Sequence, residues 1–345
     1  MRVAVVLLNL GGPDSPEAVE PFLQNLFSDP AVISLPKLFR LPLARMIARQ
    51  RAPIAREIYG NIGGRSPILE ETEAQARALE NVLNNREMES KCFIAMRAWK
   101  PFGSETARAV LAWSPEMVVL LPLYPQFSTT TTASSLADWY GSAHEAGLAA
   151  PHSRICCYPW LKGFVAAEAT LVTAALNQKR PGVDYRLLLS AHGLPKRTIS
   201  KGDPYQWQVE KSAQSIVDEL GIPDLDWQLC YQSRIGPLEW IGPATDAEIR
   251  RAGADKKGVI IAPIAFVSEH SETLVELDIE YAKLAQQSGV PHYLRVPAVG
   301  AHPLFIAGLA AQVRRAVNGE AVVTCGDGRI CPQPLVRCGY GAADA

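Results

Sequence analysis

Two segments of the chain place titratable side chains directly after short apolar runs. The first, 190–195, reads Ser-Ala-His-Gly-Leu-Pro and puts His192 just after the run at 186–189. The second, 266–280, follows the apolar run at 258–265. An imidazole beside carboxylates can move protons, and both groups bind divalent transition ions. The pattern predicts an active site that handles protons and a metal ion. Its candidates in the second segment are Glu269, His270, Glu272, Glu276 and Glu280.

The spacing of the acidic residues predicts that they share one helix face. A helix over 271–287 would stack Glu272, Glu276 and Glu280 at i, i+4 and i+8. Like charges at this spacing destabilise a helix by about 0.2–0.5 kcal/mol per pair, and a bound cation would relieve that repulsion. The alternative is an ordinary solvated face, and it applies most strongly to Glu280, far from the first turn.

His192 is predicted to act as an acid or base. Gly193 permits an unusual backbone beside it, and Pro195 fixes the exit of the loop. A neutral imidazole near acidic groups can accept a proton at pH 7, whereas a protonated one cannot. The alternative is a histidine that is merely hydrogen-bonded within a structured loop.

The elements that must position these residues are parallel strands. Nearly continuous apolar runs at 3–8, 118–123, 186–190 and 258–267 are typical of strands buried on both faces of a parallel sheet. Each run ends in a polar motif. Ligands in such sheets bind outside the carboxyl ends of the strands, so these motifs are expected to face one region.

The alternation of strands and helices predicts two α/β domains, at 1–150 and 151–320, followed by an irregular Cys-containing tail at 321–345. Strands are predicted at 3–10, 91–97, 117–123, 186–191, 226–231 and 258–266, and helices within 16–57 and at 69–84, 162–178, 205–219, 244–252, 271–287 and 302–317.

Composition excludes several classes of protein. The 345 residues are 48% apolar and 20% charged, as in a soluble globular enzyme, and the formal net charge of −1 offers no basic field for nucleic acid. The apolar runs fall short of the ~20 residues that span a bilayer, so we expect a cytoplasmic protein. The Gly pairs at 11–12 and 63–64 match no nucleotide-binding motif.

Segment 34–49 interleaves Leu, Phe, Met and Ile with four basic residues. It can lie on an anionic membrane surface, form an apolar lip over a pocket, or be an ordinary helix buried on one face. The tail carries Cys325, Cys331 and Cys338 at a spacing that fits no standard zinc finger. Thiols gathered in a reducing compartment favour iron–sulfur or zinc ligation over disulfides, and three such ligands need a fourth.

Seven motifs, in order along nearly the whole chain, resemble those of the ferrochelatase family. The resemblance implies insertion of ferrous iron into a porphyrin, ordinarily protoporphyrin IX, in a cleft between two flavodoxin-like (Rossmann-like) domains, with no nucleotide. Alternatives are a coproporphyrin III ferrochelatase, a related cobalt or nickel chelatase, or a non-catalytic porphyrin-binding protein. The motifs are 7–13, 62–67, 124–128, 190–195, 231–237, 240–243 and 270–280.

The resemblance also implies roles for single residues. His192 matches the active-site histidine that accepts pyrrole protons or contacts iron, and Glu272 its acidic partner. Glu276 and Glu280 match an acidic column that passes metal or protons, with Glu269 and His270 before it. The 34–49 segment matches the apolar lip, which favours peripheral membrane contact. Positions that match the porphyrin pocket are Asn9, Leu10, Tyr59, Arg97, Tyr124, Tyr231 and Trp240.

Some family members hold a 2Fe-2S cluster through three C-terminal cysteines and an earlier one, whose position here is Thr129. Cys156 or Cys157 can substitute for it, which makes a cluster the favoured expectation, with zinc or free thiols as alternatives. Leu10, where members with other porphyrin preferences carry Tyr, favours protoporphyrin over coproporphyrin. The expected assembly is a monomer or a homodimer.

Overall fold

The computed structural model describes residues 1–234 and 238–341. Residues 235–237, which end the 231–237 motif, and 342–345, which end the predicted tail, lie outside the described residues. The chain forms two compact units. The first comprises Met1–Tyr158, Leu309–Ile330 and the chain from Cys338, and the second comprises Pro159–Gly308 and Cys331–Arg337.

Nine strands lie in the described chain: β1 (Arg2–Asn9), β2 (Glu89–Met96), β3 (Met117–Pro122), β4 (His152–Cys157), β5 (Tyr185–His192), β6 (Trp227–Gln232), β7 (Gly258–Pro263), β8 (Tyr293–Arg295) and β9 (Val322–Thr324). The α-helices there are α1 (Val19–Ser28), α2 (Lys37–Gly60), α3 (Ile68–Leu83), α4 (Gly103–Trp113), α5 (Thr132–Ala146), α6 (Lys162–Leu176), α7 (Lys196–Ser200), α8 (Tyr205–Leu220), α9 (Thr245–Ala254), α10 (Ser271–Leu274), α11 (Ala282–Gln287) and α12 (Pro303–Val317), with a π-helix at Glu276–Tyr281 and a 3₁₀ turn at Gly339–Gly341.

The first unit is built on a five-stranded sheet in the order β2-β1-β3-β4-β9, and every pairing is parallel. β1 lies between β2 and β3, with Val5 beside Cys92 and Val119. Its apolar residues are buried on both faces, which explains the continuous rather than alternating pattern of the sequence.

The second unit is built on a four-stranded parallel sheet in the order β6-β5-β7-β8. The central strand β5 pairs with β6 and β7, so that His192 lies beside Gln232 and Ser190 beside Pro263. Both sheets confirm the predicted parallel α/β class.

The predicted domain boundary at 150 differs from the observed one. Residues 152–157 fall in the predicted second domain, but they form β4, which lies between β3 and β9 in the first sheet. The tail also contains regular structure, because β9 pairs with β4 and returns the chain to the first unit. Elements without a prediction are α4, α5, α7, β4, β8 and β9.

The helix predicted over 271–287 is not a regular α-helix. It begins as α10, widens into the π-helix, and ends as α11. The amide of Glu280 donates to the Val275 carbonyl at 2.9 Å, an i to i−5 bond. This wider turn brings residues five apart together, and residues four apart still lie close to one face.

The α2 helix combines a buried face with exposed apolar residues, so it has features of more than one alternative given for 34–49. It buries a stripe of small residues, Ala44, Ala48 and Ala52, while Leu38 and Phe39 in its first turn are 78% and 64% exposed. Within the described chain, none of the helices combines the length and hydrophobicity required to cross a membrane.

Candidate active site

His192 ends β5, and its ring is fixed by contacts on two sides. Its Nδ1 lies 2.6 Å from the Gly193 carbonyl oxygen, which can only accept, so Nδ1 carries the hydrogen. Its Nε2 lies 3.6 Å from Glu272 Oε1. Phe266 packs edge-on at 6.3 Å between ring centroids, and Tyr205 donates from its hydroxyl to the His192 carbonyl at 3.0 Å. The nitrogen Nε2 is thus the one available for chemistry.

The Glu272 carboxylate lies between two imidazoles. In addition to the His192 contact, its Oε2 lies 3.6 Å from Nε2 of His270. His270 precedes α10 and donates its backbone N–H to Thr273 Oγ1 at 3.0 Å, which fixes the start of the helix. The side chains of His192 and Glu272 are 32% and 35% exposed, so solvent reaches both.

The pair is charged at neutral pH. Burial alone would lower the pKa of His192, but the charge of Glu272, the Gly193 carbonyl and the charge of Glu276 outweigh it and raise the pKa to about 9. Burial likewise opposes ionisation of Glu272, yet His192 and His270 hold the pKa of this carboxyl well below its usual range. The expected neutral imidazole is therefore an imidazolium in the substrate-free protein.

Glu276 is fixed by four donors from three residues. Gln232 Nε2 donates to its Oε2 at 2.9 Å, and the Ser233 hydroxyl to the same oxygen at 2.5 Å. The Ser233 amide and the Tyr281 hydroxyl each donate to Oε1 at 2.9 Å. Tyr281 is five residues along the chain, the separation that a π-helix brings together. Sequence reasoning did not identify Gln232 or Ser233 as site residues.

Glu280 stands apart from these contacts on an exposed part of the π-helix. Partial burial and the nearby charge of Glu276 raise the pKa of its carboxyl. The three predicted carboxylates thus have three environments: one between imidazoles, one enclosed by donors, and one near solvent. That the three carboxylates form one acidic column remains a prediction; Glu276 and Glu280 are close enough to interact electrostatically.

Glu269 forms an ion pair that the sequence did not reveal. Its Oε1 accepts from Arg295 Nη1 at 2.5 Å and from the Ala298 amide at 2.9 Å. Arg295 also bonds Asp278 of the π-helix at 2.6 and 2.7 Å. One oxygen of Glu269, a predicted metal ligand, is thus bonded to Arg295. Arg295 in turn anchors the π-helix through Asp278.

Two residues predicted to line the porphyrin pocket adjoin the His192 loop in the second unit. Trp240 bridges to Pro195 and packs against Gly193, where an added Cβ would lie 3.4 Å from the indole ring. Its Nε1 and the Tyr231 hydroxyl are buried without a hydrogen-bond partner among the described residues. Both side chains therefore have polar atoms that a ligand or water can satisfy.

The five other pocket predictions lie in the first unit, Asn9, Leu10, Arg97 and Tyr124 at or near strand ends and Tyr59 at the end of α2. Leu10 packs against the cluster that contains Tyr59. Asn9 at the end of β1 is buried, and its amide donates to Thr72 Oγ1 at 3.3 Å.

Arg97, just after β2, is committed to an ion pair. Its Nε lies 3.1 Å from Asp29 and 3.0 Å from the Ser134 hydroxyl. The Tyr124 hydroxyl is buried without a hydrogen-bond partner in the described chain, and burial raises its pKa. Arg97 and Tyr124 are close enough to interact electrostatically.

The cysteines gather in part. Cys156 lies within hydrogen-bonding reach of Cys157 and Cys338, and these contacts together with burial raise the pKa of its thiol. A register shift between β4 and β9 at this point explains how adjacent thiols can approach, since a regular strand would point them to opposite faces. Cys325 follows Thr324, the partner of Cys157 in β9. Cys331 belongs to the second unit, where Gln208 Nε2 donates to its sulfur at 3.1 Å.

No group of three or more His, Cys, Asp or Glu side chains within residues 1–234 and 238–341 is arranged to hold a metal ion. The His192–Glu272–His270 cluster therefore consists of two ion-pair contacts to one carboxylate.

The chain is similar to proteins named ferrochelatase along almost its whole length. A family profile described as ferrochelatase matches residues 2–317. The ferrochelatase of Phenylobacterium zucineum is 52% identical over 341 residues, 98% of each chain. That of Caulobacter vibrioides is 53% identical over 330 residues, 94% of each chain.

Among solved structures, the sirohydrochlorin chelatase SirB from Bacillus subtilis subspecies spizizenii in complex with cobalt has a TM-score of 0.54 at 12% identity, covering 93% of this chain and 97% of that one. At this identity the likeness shows a shared fold alone. The family resemblance drawn from the seven motifs is confirmed by the sequence relatives, and the chain belongs to the ferrochelatase family, the lyases that insert iron into a porphyrin.

Proposed function

We propose that the protein inserts ferrous iron into protoporphyrin IX to form protohaem, with His192 as the proton acceptor and Glu272 as its partner. The observation that carries this proposal is the placement of the Glu272 carboxylate at 3.6 Å from the imidazoles of both His192 and His270. The cluster follows the carboxyl ends of β5 and β7, where parallel sheets bind ligands.

Metalation of a porphyrin displaces two pyrrole protons, so a base must stand near the pyrrole nitrogens. The resting imidazolium cannot fill that role until it loses its own proton. An arriving ferrous ion competes for the negative charge of Glu272, and a nearby positive charge lowers the pKa of His192. The proton can leave to solvent because both side chains are about one third exposed. Neutral Nε2 then accepts one pyrrole proton, releases it to solvent by the same exposed route, and accepts the second.

Burial of the apolar macrocycle supplies energy for bending it, which exposes the nitrogen lone pairs; such strain amounts to ~1–5 kcal/mol. Trp240, which is partly exposed beside Gly193, offers aromatic surface for this contact, whereas Tyr231 is 1% exposed and supports the strand end behind it. By the family resemblance, Leu10 favours protoporphyrin over coproporphyrin as the substrate.

The decisive experiment is an anaerobic assay of the purified protein with ferrous iron and protoporphyrin IX. Loss of porphyrin fluorescence with appearance of the haem spectrum is expected. Parallel reactions with coproporphyrin III and with cobalt or nickel test the alternative substrates. Tight porphyrin binding without metalation by any of these ions would instead indicate a non-catalytic binding protein.

The exposed first turn of α2 is proposed to contact an anionic membrane surface on the cytoplasmic side. Leu38 and Phe39 are exposed, and Lys37 and Arg45 supply positive charge nearby. Replacing both apolar residues by Ser is expected to reduce sedimentation with phosphatidylglycerol vesicles. Ile54, 63% exposed near the other end of the helix, provides the matched control as Ile54→Ser. Equal vesicle binding by the Leu38 and Phe39 double variant and by Ile54→Ser would contradict the proposed membrane contact.

A 2Fe-2S cluster is proposed at Cys156, Cys157 and Cys338, with Cys325 as the fourth ligand and Cys331 as its competitor for that place. Thiolates are the ligands that such clusters require, and Cys156 lies within hydrogen-bonding reach of both Cys157 and Cys338. Metalation itself involves no redox change, so the cluster would have a structural role. It would tie the tail to β4.

The visible spectrum of the protein as isolated tests the cluster proposal. Charge-transfer bands are expected in the wild type and in Cys92→Ser, a control on β2, and are expected to be lost in Cys156→Ser and Cys338→Ser. The variant of Cys325 or Cys331 that loses the bands identifies the fourth ligand. A colourless protein with zinc would indicate the zinc alternative, and one without metal would indicate free thiols.

A further inference from the structure

Ser233 has a backbone conformation that serine rarely adopts. It follows the last residue of β6 directly, and its φ is +60°. The left-handed region is unfavourable for residues with a Cβ, and such residues persist only where their surroundings hold them. An asparagine or glycine would adopt this conformation more readily, so the presence of serine calls for a reason in its side chain.

The left-handed conformation lets one residue donate twice to the same carboxylate. The Ser233 amide donates to Oε1 of Glu276 at 2.9 Å, and its hydroxyl donates to Oε2 at 2.5 Å. A carboxylate has about four lone-pair sites, and the donors from Ser233, Gln232 and Tyr281 match that number. Glu276 therefore has little capacity left to accept and release a metal ion.

Gln232 connects this carboxylate to the His192–Glu272 pair. It is 1% exposed and lies beside His192 in the register of β5 and β6. Its Oε1 accepts from the Ser190 hydroxyl at 2.9 Å, and its Nε2 donates at 2.9 Å to the backbone carbonyl of Glu272. The same Nε2 donates to Glu276. One side chain thus joins the end of β5, the first turn of α10 and the first turn of the π-helix.

We propose that Ser233 and Gln232 are positioning residues that hold Glu276 as a fixed anchor, and that through this anchor they keep the Glu272 carboxylate facing His192. The inference rests on the proposed roles of His192 and Glu272. It gives Glu276 a different task from passing metal along a column: it fastens the π-helix to the end of β6.

Two substitutions at Ser233 separate positioning from stability. Ser233→Gly removes the hydroxyl and relieves the left-handed strain, so its melting temperature is expected to equal or exceed that of the wild type. Ser233→Ala removes the same hydroxyl and keeps the strain, so it is expected to melt lower than Ser233→Gly. Both are expected to lose about tenfold in kcat, because a charge-assisted hydrogen bond is lost in each. KM for the porphyrin is expected to stay unchanged, since neither variant alters the apolar pocket.

Ser233→Thr provides the converse test. It retains a hydroxyl, while its β-branched side chain is strained at positive φ, so the melting temperature is expected to fall. Assayed well below that temperature, it is expected to keep more turnover than Ser233→Gly although it is less stable. Turnover that is retained by Thr and lost equally by Ala and Gly, while stability rises in the order Thr, Ala, Gly, would identify the hydroxyl as the cause.

Gln232→Met tests the connecting residue, because it keeps the volume of the side chain and removes its donor and acceptor. Its kcat is expected to fall at least as far as that of Ser233→Gly. A kcat within twofold of wild type in both Ser233→Gly and Ser233→Ala would overturn the inference, as would turnover that simply follows melting temperature across the series. An inactive wild type would contradict the proposed function itself, before any variant is compared.

Discussion

Both ends of β5 carry charged side chains, but the two ends are built differently. At its start, Arg186 Nε lies 2.8 Å from Asp226 and its Nη1 lies 3.0 Å from Asp255. At its end, His192 lies 3.6 Å from Glu272, which is the same distance from His270. The contacts at the start are short charge-assisted hydrogen bonds, whereas those at the end are longer than a hydrogen bond.

This difference distinguishes a structural charge network from a reactive one. Arg186 donates to two carboxylates, and Lys257 adds a further donor to Asp226 at 2.5 Å, so the donors and acceptors satisfy each other. Glu272 is instead shared between two imidazoles, neither at hydrogen-bonding distance. A site that must exchange protons and admit a metal needs such incompletely satisfied groups, and they lie at the strand end where ligands bind in parallel sheets.

The two ends are also expected to respond to pH in opposite directions. Burial opposes ionisation of Asp226, but Arg186 and Lys257 outweigh it and lower its pKa, so its contribution to stability is present at neutral pH and lost as the pH falls through the acid range. The pKa of His192 is raised to about 9, so its contribution is complete below its ordinary pKa of about 6.5 and lost as the pH rises through about 9.

The largest expected effect is that of His192→Ala at the reactive end. Removing the proton acceptor is expected to lower kcat by about 10²- to 10⁴-fold, the usual contribution of general acid–base catalysis. Porphyrin affinity, measured by quenching of protein fluorescence, is expected to remain within a few-fold of wild type. His144→Ala, at an exposed position of α5, is the control. Normal turnover by His192→Ala would refute the assignment of the reactive end.

Glu272→Gln is expected to have the next largest effect and to change the pH dependence. The substitution removes the main charge that raises the pKa of His192, so that pKa is expected to fall from about 9 toward its ordinary value. Titration of the His192 ring signals by NMR measures this directly. Turnover is expected to drop at least tenfold, because ferrous iron no longer meets a carboxylate beside His192. A ring that still titrates near 9 would mean that another group sets its charge.

At the structural end, Arg186→Met is expected to lower stability and leave turnover within about twofold. Loss of its hydrogen bonds to two carboxylates is expected to cost about 2 kcal/mol of the free energy of unfolding at pH 7, measured by urea denaturation. The deficit is expected to shrink in acid, where Asp226 becomes protonated. Arg250→Met, at an exposed arginine of α9, is the control. A large loss of turnover by Arg186→Met would erase the distinction between the two ends.

The sequence allowed the prediction of those features that depend on local pattern. Continuous apolar runs identified β1, β3, β5 and β7, and the abrupt change to polar residues identified His192 and Glu272. The alternation rule could not find β9, because three residues in a Gly- and Cys-containing tail carry too little pattern, and only their pairing with β4 makes them a strand.

Features that depend on tertiary contacts were not predictable. The π-helix replaces the regular helix because Glu276 and Asp278 are bonded by groups from distant parts of the chain, Ser233 and Arg295 among them. The ion pair between Glu269 and Arg295, 26 residues along the chain, likewise depends on the folded structure. Helical periodicity assumes 3.6 residues per turn, so it could not foresee that Tyr281 bonds Glu276 from five residues along the chain.

The smallest expected effect, that of Glu280→Gln, tests this revised view of the reactive end. Glu280 is exposed near the end of the π-helix, so its charge attracts ferrous iron largely through screened solvent. Removal of the charge is expected to raise KM for iron by no more than about twofold, and the difference is expected to vanish in 0.5 M salt. Glu276→Gln, which disturbs the anchored carboxylate, is expected to lower kcat more, and with little dependence on salt. Equal losses in both variants, present at every salt concentration, would show instead that the two carboxylates act as one column despite the π-helix between them.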